Sequence, residues 1–147
     1  SNYFPNSKFI HLKRNVVSSV ISMASRYWYH DDEYPNYLNH DWAKYRLQGD
    51  LVGDVDSKLW NSWDNIKKCT WYWYKVNTSI DEFCSKLSHD RSFSIDIEEL
   101  PNKIDNLLEF LGLEKLNLGI IKSNTTLKKH EDNFNKLKNN KNVNENF

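Results

Sequence analysis

The sequence has no excess of either charge and no long apolar run. Lys plus Arg and Asp plus Glu both number 20 in the 147 residues, so the formal net charge is zero. A neutral chain creates no overall field that attracts nucleic acid or an acidic membrane, and any anion site must be local. No stretch approaches the roughly 18 consecutive apolar residues of a membrane span, and the first residues contain no signal-like apolar segment. We therefore expect no nucleic-acid partner and no membrane span in this chain.

Cysteine and glycine are also scarce, at two and four residues. Cys69 and Cys84 lie in a stretch predicted to be helical, where their separation in sequence corresponds to roughly 22 Å at 1.5 Å per residue. A disulfide between them is excluded, because bridged Cα atoms lie within about 7 Å. Unpaired thiols fit a reducing compartment, so we expect a cytoplasmic location, with the Golgi lumen as the alternative if an anchor precedes Ser1. The spacing of the cysteines and the five histidines fits no zinc pattern, and no metal is expected.

Aromatic residues, in contrast, are plentiful, with six Trp, eight Tyr and seven Phe. Such a surplus of rings suits either a thick core or a surface that stacks on sugars, and the sequence does not separate the two. In the second case the chain is a non-enzymatic carbohydrate-binding or protein-interaction module. Its stacking platforms would be Trp28, Tyr29, Tyr34 and Trp42.

The most informative stretch is Lys8 to Met23. Phe9 to Leu12 is a short apolar run typical of a buried strand, and a helical pattern follows from Asn15, a favoured N-cap, to Tyr29. Arg14 lies at the junction of strand and helix, and Ser18 and Ser22 follow at four-residue steps. The apolar face of the predicted helix consists of Val16, Val20, Met23, Ala24 and Tyr27.

This junction has the outline of a phosphate site. A guanidinium and two hydroxyls lie along one side of a helix entrance, where the helix dipole also favours an anion. The ordinary alternative is that basic residues at such junctions are common in α/β proteins and that helical serines face solvent or a neighbouring strand.

The middle of the chain is predicted to be a loop followed by a long helix. From residue 30 to 55 the sequence is irregular, with one short helix expected over 40–47. Apolar residues then recur every three or four positions from Ser57 to Leu87, a stretch without Pro or Gly. Asp54 or Asp56 is suited to cap this helix, and a single break is expected near Cys69.

The last third of the chain predicts a second strand and two more helices. Ser92 to Ile97 alternates apolar and polar residues, as a strand does. A helix with Pro101 in its first turn and Gly112 at its end follows, and a basic helix is expected over 127–138. Residues 139–147 have little to bury and are expected to be a disordered tail. The order of elements predicts one domain over 1–138, a helix-rich part of a parallel α/β sheet with helices on its faces.

Three stretches together resemble one enzyme family, the sulfotransferases that use 3′-phosphoadenosine 5′-phosphosulfate (PAPS). The segment Phe-Pro-Asn-Ser-Lys-Phe-Ile-His-Leu-Lys-Arg-Asn at 4–15, with Ser22 eight residues after Arg14, resembles their 3′-phosphate-binding segment. Phe93 to Leu100 and Leu107 to Leu113 are similar to the late strand with its "Tyr-Glu-Asp-Leu" signature and to the "Phe-Leu-Gly-Leu" helix end. The stretch 71–77 resembles the tryptophan- and asparagine-containing helix between them.

The resemblance covers about residues 4–113 and implies both fold and function. The fold would be the three-layer, P-loop-nucleotide-hydrolase-like fold of the sulfotransferases, and the reaction sulfuryl transfer from PAPS to a hydroxyl or amine. Arg14 and Ser22 would hold the 3′-phosphate of PAPS or of its product, adenosine 3′,5′-bisphosphate. Lys128 and Lys129 match a basic stretch that many relatives place near the nucleotide. The acceptor would be a carbohydrate or another small hydroxyl compound.

The chain also departs from the family pattern. Nothing in it resembles the loop that binds the 5′-phosphosulfate and carries a catalytic Lys, or the general base that precedes the 3′-phosphate segment. Ile97 and Glu99 stand where the family has Tyr and Asp, and the Arg-Lys-Gly motif of the cytosolic branch is absent. We therefore expect the C-terminal half of a sulfotransferase, inactive alone, with the N-terminal half as a possible partner.

No histidine is a compelling general base, and the catalytic residues are left unassigned. His11 is expected to be a satisfied core histidine of the strand, and Glu98 to anchor the sheet to the first helix rather than to move protons. The Lys- and Asn-rich tail from Lys128 could suggest a nucleic-acid contact, but Glu131, Asp132 and Glu145 dilute its charge.

Overall fold

The computed structural model describes residues 4–29 and 45–114, together with the helical residues Asp132, Asn135 and Lys136. About half of this part is helical, and two strands form a parallel sheet, so the predicted α/β class is confirmed. The order of elements is β1 (Phe9–Lys13), α1 (Val16–Ala24), α2 (Ser57–Ser62), α3 (Asn65–Cys84), β2 (Ser92–Asp96) and α4 (Leu100–Leu111). The predicted tail over 139–147 lies outside the described residues.

The described residues fall into two compact units. The first, which we call the sheet unit, consists of residues 4–15 and 76–114 and contains β1, β2, α4 and the second part of α3. The second, the aromatic unit, consists of residues 16–29 and 45–75 and contains α1, α2 and the first part of α3. Each unit is described by itself below.

In the sheet unit, β1 and β2 are aligned residue by residue from Phe9 opposite Ser92 to Lys13 opposite Asp96. His11 is buried, but its neighbours Ile10 and Leu12 are 45% and 50% exposed. The prediction of a buried strand was therefore wrong for alternate residues. The physical reason is that successive side chains of a strand point to opposite faces, and the face of His11 is the one that meets α3.

Helix α4 has the predicted signals at both ends. Pro101 lies in its first turn, and Gly112 at its end has a φ of 74°. The N–H of Gly112 donates to the carbonyl of Glu109, and the N–H of Leu113 donates to that of Leu108, the pattern of a Schellman motif. The helix packs on β2 through Phe110 and Phe93, whose ring centroids lie 5.3 Å apart.

In the aromatic unit, α1 ends at Ala24, five residues before the predicted end at Tyr29. Tyr27 has a left-handed backbone with φ of 52°. Its N–H donates to the carbonyl of Ala24, and the N–H of Trp28 donates to that of Met23, so this end is also a Schellman motif. The early stop was not predictable from sequence, because a tyrosine takes the position that glycine or asparagine usually occupies.

The predicted long helix is two helices, broken at Trp63 and Asp64 rather than near Cys69. Asp56 caps α2 by accepting hydrogen bonds from the N–H groups of Lys58 and Leu59, as the sequence suggested. Trp63 then adopts an extended conformation, and the carboxylate of Asp64 accepts the N–H of Lys67 at 2.7 Å, which caps α3. An N-cap residue has non-helical dihedrals, so the cap at Asp64 separates the two helices.

Trp60 is the centre of the core of the aromatic unit and is 1% exposed. The rings of Tyr29, Trp63 and Trp71 pack on it with centroid distances of 5.4, 5.6 and 5.0 Å. The backbone of Gly49 also lies close to this ring. A Cβ atom built at Gly49 would be 2.9 Å from Trp60 Cε3. The buried core cluster consists of Val20, Ala24, Tyr29, Trp60 and Cys69.

Candidate functional site

Arg14 lies in the two-residue link between β1 and α1, with its side chain exposed to solvent. Because β1 and β2 are parallel, their carboxyl ends lie at the same edge of the sheet, and Arg14 is at that edge. A guanidinium there is available to an anion, which it can hold through two parallel hydrogen bonds.

The other predicted ligands are placed separately or not described. Ser18 and Ser22 are half-buried residues of α1. They belong to the aromatic unit, whereas Arg14 belongs to the sheet unit, so the grouping of the three remains a prediction. Lys128 and Lys129 lie outside the described residues.

The backbone on both sides of Arg14 is hydrogen-bonded to the segment that follows β2. The N–H of Ile97 donates to the carbonyl of Lys13 at 2.7 Å. The N–H of Asn15 donates to Oε1 of Glu98 at 3.3 Å. Glu98 thus contacts the residue before α1 within the sheet unit, and its predicted anchoring of the sheet to the first helix stays a prediction. The contribution of Ile97 was not predicted, because it comes from the backbone and depends on the strand register.

His11 is a satisfied histidine, as predicted. Nδ1 donates to Oδ1 of Asp81 at 3.0 Å, and Nε2 lies 3.0 Å from the side-chain oxygen of Asn77. Lys13 Nζ lies 3.8 Å from the same Asp81 oxygen. Each ring nitrogen of His11 therefore has a polar side chain within hydrogen-bond distance.

Sequence reasoning did not identify Asn77 and Asp81 as the partners of His11. The signal was present, since both residues are polar and residues four apart lie on the same face of a helix. What the sequence did not show was which strand that face would meet.

Two ionisable groups of the aromatic unit are perturbed by burial. Desolvation raises the pKa of the Cys69 thiol to about 12, so this group is not a nucleophile near neutral pH. Desolvation also lowers the pKa of Lys68, and the carboxylates of Asp50 and Asp64 oppose this shift. The Lys68 ammonium lies over the face of Trp60, 5.4 Å from the ring centroid. Both groups belong to the core packing of this unit.

The proposed stacking platforms for sugars are part of the core where the structure describes them. Tyr29 is 1% exposed and its hydroxyl donates to the carbonyl of Leu47. The half-buried ring of Trp28 is covered by the Arg46 guanidinium, 3.9 Å from the ring centroid. The stacking role was therefore wrong for Tyr29, because its ring is buried, whereas for Trp28 it stays a prediction. Tyr34 and Trp42 lie outside the described residues.

Two absences hold for residues 4–29, 45–114 and the three helical residues near the C-terminus. Within these residues, no group of three or more His, Cys, Asp or Glu side chains is arranged to hold a metal ion. No helix among them is both long enough and apolar enough to cross a bilayer.

Comparison of the chain with protein-family models, with curated proteins and with solved structures found no match in any of the three. The described part of the candidate site is one exposed guanidinium, that of Arg14, at the carboxyl edge of a parallel strand pair and one residue before α1 begins.

Proposed function

We propose that this chain binds the 3′-phosphate end of a PAPS-type nucleotide, as the nucleotide-binding part of a sulfotransferase. Arg14 would chelate the phosphate, Ser22 would add a hydroxyl donor, and Ser18, Lys128 and Lys129 are secondary candidates. No stretch of the sequence resembles the loop that carries the catalytic Lys. The proposal therefore assigns nucleotide binding, and not turnover, to these 147 residues.

The observation that carries the proposal is the position of Arg14. It is exposed, it directly follows a strand of a parallel pair, and it precedes a helix by one residue. Ligands of open α/β sheets bind at the carboxyl ends of the strands, and the first N–H groups of a helix favour an anion. The zero net charge adds to this argument, because binding of a polyanionic nucleotide then requires a dedicated local cation.

The decisive experiment compares two nucleotides that differ only in the 3′-phosphate. Titration calorimetry should show tighter binding of adenosine 3′,5′-bisphosphate than of adenosine 5′-monophosphate. Arg14→Ala should remove about 1.5 to 3 kcal/mol of binding free energy for the bisphosphate, the range for hydrogen bonds to charged groups, and leave the monophosphate unaffected. Arg14→Lys should recover only part of the loss, because an ammonium lacks the two-pronged geometry.

Arg26→Ala is the matched control, since Arg26 is also an exposed arginine close to α1 in sequence. This variant should bind the bisphosphate like the wild type. Equal losses for both nucleotides in Arg14→Ala, or an equal loss in Arg26→Ala, would contradict the 3′-phosphate assignment. A bisphosphate at 100 times its dissociation constant should also stabilise the wild-type protein by about 2.7 kcal/mol.

A further inference from the structure

Two consecutive residues after β2 hold the two peptide groups that flank Arg14. Ile97 donates to the carbonyl of the peptide before Arg14, at 2.7 Å. Glu98 accepts from the N–H of the peptide after it, at 3.3 Å. All of these residues belong to the sheet unit. Since a residue has only two soft backbone dihedrals, fixing both adjoining peptides fixes the direction of the Arg14 Cα–Cβ bond.

The two bonds differ in how they can be changed. The bond from Ile97 is made by the backbone and continues the β1–β2 ladder, so it does not depend on the identity of the side chain. The bond to Glu98 is made by a carboxylate and disappears when that side chain is truncated. Of the two bonds, the one to Glu98 is therefore the one that a side-chain substitution can remove.

A carboxylate beside an anion site is unfavourable for the anion, so its presence needs a reason. Among the described residues Glu98 makes no ion pair, which means that it does not neutralise Arg14. Its described contact is the one to the Asn15 N–H, a charge-assisted hydrogen bond at an exposed site.

We infer that Glu98 is the positioning residue for Arg14, which it aims by holding the Asn15 peptide. This inference rests on the proposed function and deepens it, because it makes phosphate recognition depend on a residue that does not touch the phosphate. The requirement is for an acceptor oxygen at this position and not for a negative charge. Glutamine should therefore replace Glu98, and alanine should not.

The test measures binding of adenosine 3′,5′-bisphosphate and adenosine 5′-monophosphate to Glu98→Ala, Glu98→Gln and Glu99→Gln. Glu98→Ala should weaken bisphosphate binding roughly three- to tenfold, the effect of one net hydrogen bond, without changing monophosphate binding. Glu98→Gln should bind the bisphosphate at least as tightly as the wild type, because the acceptor stays and the repulsive charge is gone. Glu99→Gln, which removes only the carboxylate that pairs with Lys103, is the control and should show no change.

A double-mutant cycle separates aiming from a general loss of structure. In the Arg14→Ala background, Glu98→Ala should cause no further loss of bisphosphate binding, because there is no guanidinium left to aim. Additive losses would overturn the inference, as would equal losses in Glu98→Gln and Glu98→Ala.

Amide hydrogen exchange at Asn15 gives a readout that needs no nucleotide. The exchange should accelerate in Glu98→Ala and stay at the wild-type rate in Glu98→Gln; an unchanged rate in Glu98→Ala would overturn the inference directly. If Arg14→Ala weakens bisphosphate binding and Glu98→Ala does not, the inference fails and the proposed function stands. If Arg14→Ala has no effect, the proposed function fails, and with it the aiming of Arg14 at a phosphate.

Discussion

In the aromatic unit, the rings of Tyr29, Trp63 and Trp71 surround Trp60, whereas the sheet unit buries a histidine between two polar side chains. The first arrangement depends on packing of apolar surface, which has no direction. The second depends on hydrogen bonds, which require particular atoms at particular distances. Arg14, the cation of the candidate anion site, lies in the unit of the second kind.

This difference indicates which residues can take a binding role with little loss in the free energy of unfolding. Arg14 is exposed and Glu98 makes one exposed hydrogen bond, so either can change without opening a cavity. Substitutions at the centre of the aromatic unit should instead reduce the free energy of unfolding before they affect any ligand. Four substitutions, from the largest expected effect to the smallest, test this contrast.

Trp60→Ala should cause the largest loss of stability, about 3 to 5 kcal/mol, because it removes a fully buried ring and leaves a cavity. Urea denaturation followed by far-UV circular dichroism measures this loss. Tyr74→Ala is the control, since Tyr74 is 51% exposed on the same helix that carries Trp71. A comparable loss in Tyr74→Ala would show that burial does not distinguish the two rings.

Cys69 should make the aromatic unit sensitive to alkaline pH. Burial raises the pKa of this thiol to about 12, so between pH 9 and 12 the unfolded chain loses a proton that the folded chain keeps. The free energy of unfolding should then fall by up to about 1.4 kcal/mol per pH unit in this window, roughly 2 kcal/mol by pH 10.5.

The measurement compares the pH dependence of unfolding in the wild type and in Cys69→Ala. The variant should start at a lower stability but lose less of it above pH 9. The lowered pKa of Lys68 acts in the opposite direction and is common to both proteins. Parallel curves for the two proteins would contradict the assigned burial of the thiol.

Asp81→Ala should cost about 1 to 2 kcal/mol in the sheet unit, because the buried Nδ1–H of His11 loses its acceptor. Asp81→Asn should cost less, since an amide oxygen can take over. Glu82→Ala changes the neighbouring exposed carboxylate and should stay within about 0.5 kcal/mol of the wild type. The contrast between directional and non-directional stabilisation would break down if Asp81→Ala and Glu82→Ala behaved alike.

Asp56→Ala should cost about 1 kcal/mol, because α2 loses its N-cap. Asp54→Ala removes a surface ion pair with Lys75 and should cost less, about 0.2 to 1 kcal/mol. Thermal unfolding of both variants under identical salt conditions measures the difference. A larger loss of stability in Asp54→Ala than in Asp56→Ala would contradict this prediction, because the surface ion pair would then contribute more than the N-cap.

The sequence predicted the elements that carry strong local signals. Asp56, Pro101 and Gly112 mark helix ends through their own chemistry, and the structure places them there. Prediction from the sequence failed in two situations. In one, a residue adopts a backbone conformation that its type seldom takes; in the other, the element that packs on a residue determines its exposure. Tyr27 takes a left-handed conformation that tyrosine seldom adopts, and the exposure of Ile10 and Leu12 depends on which face of β1 meets α3.

For the candidate site, too, local features were predictable from the sequence and long-range contacts were not. Arg14 could be located because the change from strand to helix pattern is local. The partners of His11 and the contact of Ile97 with Lys13 join residues more than 60 positions apart, and hydrophobic periodicity contains no information on such pairs. The proposed phosphate role of Arg14 and Ser22 stays a prediction.

The distribution of tryptophan has a practical consequence for following this protein by fluorescence. Within the described residues, every indole belongs to the aromatic unit, namely Trp28, Trp60, Trp63, Trp71 and Trp73. The ring centroids of Trp63 and Trp71 lie 5.6 and 5.0 Å from that of Trp60, so the emission of these three indoles reports on the order of one cluster. The described part of the sheet unit contributes no indole emission. Indole emission from the described residues therefore follows the melting of the aromatic unit, while occupancy of the candidate site at Arg14 needs a separate label.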